Sequence, residues 1–140
     1  MSYQMILAPL FVQVILTLIV AFMLAGHRVR AAIRKEIPEN IALREPNWPT
    51  HVRQVDNNYL NQFELPVLFY VLTILAIITR HADLFFVLMA WVFVVLRIFH
   101  AYVHLTSNVL QIRGPLFSAG LVVLSIMWIV FIARIMLGLP

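Results

Sequence analysis

Four runs of apolar residues, each long enough to cross a bilayer, leave this chain almost no other way to fold. They span about Gln4 to Gly26, His51 to Thr79 (apolar from Phe63), Leu84 to Leu105 and Pro115 to Leu137. A lipid-exposed backbone must satisfy its own polar groups, so each run is read as a helix and the chain as a single all-α membrane domain over residues 1–140. The first run is too long for a signal-peptide core and ends in no small-residue cleavage site; it is read as a retained span.

Between Arg28 and Asp56 lies the only extended polar segment, with Pro38, Pro46 and Pro49. It reads as a connecting loop carrying a short surface helix. Arg80 to Asp83 is too short to do more than return the third helix antiparallel beside the second. Pro115 suits a first helical turn, and Arg134 is near enough to an end to snorkel.

Basic residues set the orientation. Arg28, Arg30, Arg34, Lys35, Arg44, Arg53 and Arg113 fall on one side and Arg80 and Arg134 on the other, seven against two, which places both loops in the cytoplasm and both termini outside. The net charge of +4 is therefore a membrane-topology signal and not one for nucleic acid. The chain has no cysteine, so any thiol chemistry must use a thiol that a ligand brings in.

Ionisable side chains inside a span cost several kcal/mol unless they face a partner or a wet cavity, so they mark candidate sites. At 100° per residue Arg97, His100, His104, Asn108 and Gln111 form one polar stripe, and Asn57, Asn61 and Glu64 form another. Counted from the outer ends of their helices, Glu64 and Arg97 both lie about 20–23 Å deep. They are expected to pair, directly or across a bound ligand. Pro66 cannot bond the carbonyl of Gln62, which frees an acceptor at that depth. The same residues can also be read as a buried lock on helix register. His100 and His104 stand at metal-ligand spacing, but only Glu64 is available as a third ligand and no metal is expected. Trp91, Phe93, Phe99, Trp128 and Phe131 are read as packing or lipid-facing residues.

The run Asn61-Gln62-Phe63-Glu64-Leu65-Pro66, followed by Arg97-x-x-His100 and by Arg113-Gly114, resembles the MAPEG family, the membrane-associated proteins in eicosanoid and glutathione metabolism. The resemblance covers the whole chain. It implies a homotrimer of four-helix bundles that holds glutathione as co-substrate at each subunit interface, near the cytoplasmic side. Asn61 and Glu64 would hold the polar groups of the peptide, with Arg97 and His100 in the same pocket. His104 occupies a position that is often Tyr in relatives. Arg113 would lie beside the sulfur as the catalytic residue, and Arg28 or Arg30 would reach the ligand of the neighbouring subunit.

The sequence departs from that pattern at Asn57, where relatives that bind glutathione usually carry Arg; Arg53, one turn away, is the nearest cation left to substitute. Gly114 offers no hydroxyl where some relatives have Ser.

Two functions follow from the resemblance. One is a glutathione-dependent transferase or peroxidase acting on lipophilic electrophiles or lipid hydroperoxides. The other is a non-catalytic lipid-binding protein or accessory subunit of a larger membrane complex. A proton relay through His100, Glu64 and His104 is a distant third. The expected location is the plasma membrane of a bacterium, with membrane lipids as neighbours and the site facing the cytoplasm.

Overall fold

A computed structural model describes residues 1–38 and 48–140. The described residues form five helices: α1 (Tyr3–Ile33), α2 (Thr50–Asn61), α3 (Leu65–Ile78), α4 (Leu84–Leu105) and α5 (Leu110–Leu137). Taken as one bent rod, α2 and α3 make a single span. Among the described residues there are thus four helices long and apolar enough to cross a membrane, as an integral membrane protein requires.

Apolarity marks where lipid ends, not where helix ends. Past Gly26 the residues His27 to Ile33 include Arg and Ala, which are good helix formers, and α1 continues through them to Ile33. Arg28 and Arg30 therefore sit on a helix and not in the expected loop. At the other end of that segment, α2 already begins at Thr50. Glu39, Arg44, Glu45 and Pro46 lie outside the described residues, as does any surface helix between them.

The expected polar stripe through Asn108 and Gln111 does not form. Helix α4 stops at Leu105, Asn108 takes a left-handed φ of 52°, and Gln111 belongs to α5. Asn is among the few residues that tolerate that conformation. Because α5 starts at Leu110, Pro115 lies inside it and not in its first turn.

The second span breaks at residues 62–64. Gln62, Phe63 and Glu64 donate to carbonyls three residues back at 3.0, 3.0 and 3.4 Å, a tightened turn that ends α2. Glu64 then takes φ −92° and ψ −103°, and α3 restarts with Pro66 in its first turn, where a missing N–H costs little.

Three other helix ends are closed by caps. Asp83 Oδ1 accepts from the Phe86 N–H at 2.9 Å and its Oδ2 from Arg134 at 2.8 Å, tying the start of α4 to the end of α5. Beyond α3 the His81 N–H reaches the Ala76 carbonyl at 2.8 Å and Arg80 stands at φ 60°; beyond α1 the Glu36 N–H reaches Ala31 at 3.0 Å and Lys35 stands at φ 53°. Both are Schellman turns with a long side chain at the left-handed position.

One core, around Phe69, Leu72, Phe93 and Leu124, joins α3, α4 and α5; a second, around Val20, Leu24 and Val52, joins α1 to α2. Between them runs a buried amide chain: Gln13 Nε2 donates to Gln62 Oε1 at 3.0 Å, Gln62 Nε2 to Asn58 Oδ1 at 2.8 Å, and Asn58 Nδ2 to the Ala101 carbonyl at 3.0 Å. It fastens α1, the end of α2 and α4 together beside the break.

Candidate functional site

A cavity of about 460 Å³ opens between the end of α2, the last turns of α4 and the first turns of α5. The second span contributes Asn57, Leu60, Asn61 and Glu64, α4 contributes His100 and His104, and α5 contributes Leu110, Arg113, Gly114 and Phe117. Of the residues expected to form a site, Asn61, Glu64, His100 and Arg113 thus share one hollow.

Spacing accounts for each wall. Asn57, Asn61 and Glu64 are four and three apart, which keeps them on one face until the break. His100 and His104 are one turn apart, with ring centroids at 5.7 Å, and Phe117 packs against His100 at 5.8 Å. Arg113 is aimed by the turn before α5, where its Nη1 donates to Asn108 Oδ1 at 2.6 Å. Asn61 Nδ2 and His104 Nδ1 are 3.5 Å apart, and Gln54 Nε2 donates to the His104 carbonyl at 2.8 Å, so α2 and α4 are fastened at the rim.

Arg97 does not line the cavity. It is only 1% exposed, and its Nη2 donates to the Asn61 carbonyl at 3.0 Å. Its Nε and Nη1 are buried and have no partner among the described residues, as has His100 Nδ1. The expected direct pair with Glu64 is absent: no ion pair within 4.0 Å joins Glu64 to any described residue. The cause is the break. It withdraws the Asn61 carbonyl from its helical partner and offers it to Arg97, while the exposed Glu64 faces the cavity. The freed acceptor that serves the guanidinium is therefore that of Asn61, not that of Gln62.

The remaining expected residues lie apart from the cavity within this chain. Arg28 pairs with Asp56 at 3.3 Å and covers the Trp48 ring at 5.4 Å. Arg30 and Arg53 are exposed. Sequence reasoning missed the Gln13–Gln62–Asn58 chain that steadies the break. Its signal was Gln13, an amide alone among apolar residues in mid-span. The apolar walls Leu60, Leu110 and Phe117 carried no signal at all.

Chemically the hollow offers a carboxylate for an ammonium group, amides for peptide groups, and a guanidinium beside two imidazoles.

A model of the MAPEG family matches residues 6–133, nearly the whole chain. No curated protein and no solved structure matches it. The chain belongs to the MAPEG family.

Proposed function

We propose that this MAPEG family protein binds glutathione in the cavity and uses it as co-substrate against lipophilic electrophiles or lipid hydroperoxides. The observation that carries this reading is the convergence of Asn61, Glu64, His100 and Arg113 on one hollow of about 460 Å³. Bound glutathione supplies the thiol, which adds to an electrophilic carbon or, with a second equivalent, reduces a hydroperoxide to alcohol and water, the two thiols being oxidised to glutathione disulfide.

The protein's part is electrostatic. A free thiol has a pKa of about 8.5 and is mostly protonated at neutral pH. The Arg113 guanidinium, in a half-buried site walled by Leu110 and Phe117, favours the thiolate and keeps its own proton. Glu64 takes the ammonium group, and Asn57 and Asn61 hold amide or carboxylate groups. Arg97 positions Asn61 from behind.

The wider arrangement belongs to the same proposal. The cavity faces the cytoplasm, where the basic residues concentrate, and both termini lie outside. The assembly is a homotrimer in which Arg28 or Arg30 reaches the site of a neighbouring copy.

A second reading has one observation in its favour. Arg97 does not line the cavity and Asn57 is uncharged, so among the described residues Arg113 is the one Lys or Arg that lines it. A lost charge-assisted bond lowers affinity by roughly ten- to a hundredfold. On this reading the protein is a lipid-binding or accessory subunit without catalysis.

Thermal unfolding in detergent with millimolar glutathione, together with conjugation assays on Arg113→Ala, separates the two. The enzyme reading expects a raised melting temperature and a crippled variant. No shift, with conjugation unchanged in the variant, would overturn it.

A further inference from the structure

At the far end of α1 from the Gln13 amide chain, two tilted imidazole rings bring their Nδ1 atoms together. His27 Nδ1 and His51 Nδ1 are 3.1 Å apart, and His51 Nε2 lies 3.0 Å from Glu36 Oε2. The Schellman turn after α1 brings Glu36 back to this position. The ionised Glu36 carboxylate can only accept, which puts a proton on His51 Nε2; in the neutral ring the lone pair of Nδ1 then faces His27. Two imidazole nitrogens this close need a proton or a cation between them.

The distance suits a cation. With metal–nitrogen bonds of about 2.05 Å, two ligand nitrogens stand about 3.3 Å apart around a tetrahedral ion and about 2.9 Å apart at neighbouring octahedral positions. The observed 3.1 Å falls between these. The carboxylate on the outer nitrogen of His51 is the partner that metal-bound histidines usually have, fixing the tautomer and raising the basicity of the ligating nitrogen.

We propose that His27 and His51 form a binding site for a divalent transition ion of the zinc, nickel or copper type, with Glu36 orienting His51. Imidazole suits these ions. Among the described residues no third side chain joins the two rings as a ligand, since Glu36 is on the outer nitrogen of His51, and water would complete the coordination. Both rings are half-buried and open to an ion from the aqueous side. Of the neighbouring cations, Arg28 is offset by Asp56, and Glu36 brings a carboxylate to His51. The expectation of no metal rested on His100 and His104 alone. This site joins α1 to α2 and is independent of the glutathione reading.

The test uses the full chain in detergent, stripped with EDTA. Zinc titration by calorimetry is expected to give one ion per chain, with affinity at least tenfold lower in His27→Ala and in His51→Ala. Glu36→Gln should weaken binding roughly ten- to a hundredfold, and His81→Ala and His104→Ala should leave it unchanged. Electron paramagnetic resonance with Cu²⁺ reads the ligands directly: two coordinated imidazoles are expected in the native chain, retained in His104→Ala and reduced to one in His27→Ala. Zinc binding that is undetectable or insensitive to His27→Ala, or a two-imidazole spectrum that survives it, would overturn the proposal, and the two rings would then merely share a proton.

Discussion

Arg97 and Asn61 are joined across two helices by one hydrogen bond, from the buried guanidinium to a backbone carbonyl 3.0 Å away. Arg97 is therefore a structural partner of the helix break, and Glu64 is released from that duty.

The two residues should separate in stability measurements. Arg97→Met leaves the Asn61 carbonyl with only the 3.4 Å contact from the Glu64 N–H, a loss of roughly 1–3 kcal/mol that thermal unfolding in detergent would register. Glu64→Gln should melt with the native chain but lose the stabilisation by glutathione. Equal destabilisation by both changes would instead argue for a direct ion pair.

Gln62 links Gln13 to Asn58, and all three are buried. Gln62→Leu orphans an amide on each side, at roughly 1–3 kcal/mol per group. Adding Gln13→Leu removes one of those orphans, so the double variant should regain part of the loss. That non-additivity is the expected result of a double-mutant cycle on melting temperatures.

Arg80 occupies the left-handed position of a Schellman turn at φ 60°, where a side chain costs roughly 1–2 kcal/mol that glycine avoids. Arg80→Gly should raise the melting temperature accordingly. Arg80→Ala, which keeps a Cβ, should not, and the pair of variants isolates the backbone term from the lost charge.

Asp83 supplies a pH dependence. Burial alone would raise its pKa, but the Phe86 N–H and the Arg134 guanidinium outweigh burial and hold the carboxyl below its ordinary range. A depressed acid contributes stability that is complete above its unfolded pKa of about 3.9 and is lost as pH falls through the lower folded value. The native chain should thus lose stability at acid pH more steeply than Asp83→Asn, which keeps a helix-capping side chain without the charge. The side chain is 43% exposed, so solvent screening keeps this contribution small.

The spans were legible because a bilayer leaves a chain so little choice, and the cavity residues because Glu64 and His100 stand out in apolar runs and Asn61 and Arg113 flank those runs at the same end of the bundle. Depth along a helix was legible too, but it says nothing of rotation about the axis. Level alone suggested Arg97 with Glu64, whereas the turn at residues 62–64 rotates a carbonyl into the place assigned to the carboxylate. Helix α4 ends at Leu105, where its apolar run ends, but helical spacing can be counted on through Asn108 and Gln111, which lie beyond that end in the turn and in α5. The His27–His51–Glu36 cluster was invisible because a polar segment of sequence does not reveal which of its residues a turn folds back.

Arg113 carries the catalytic proposal, and its role has a signature that simple binding lacks. If its guanidinium favours the thiolate, the pH at which conjugation reaches half its maximal rate lies below the free-thiol value of about 8.5 in the native chain. In Arg113→Ala that midpoint should move up toward 8.5, with kcat at neutral pH falling about tenfold for each unit of lost shift. Arg113→Lys, a cation without the planar fork, should fall between the two. The measurement is a pH–rate profile at saturating glutathione. A raised KM with kcat and midpoint unchanged would make Arg113 a binding residue only, and the thiolate would then need another source of stabilisation in the same hollow.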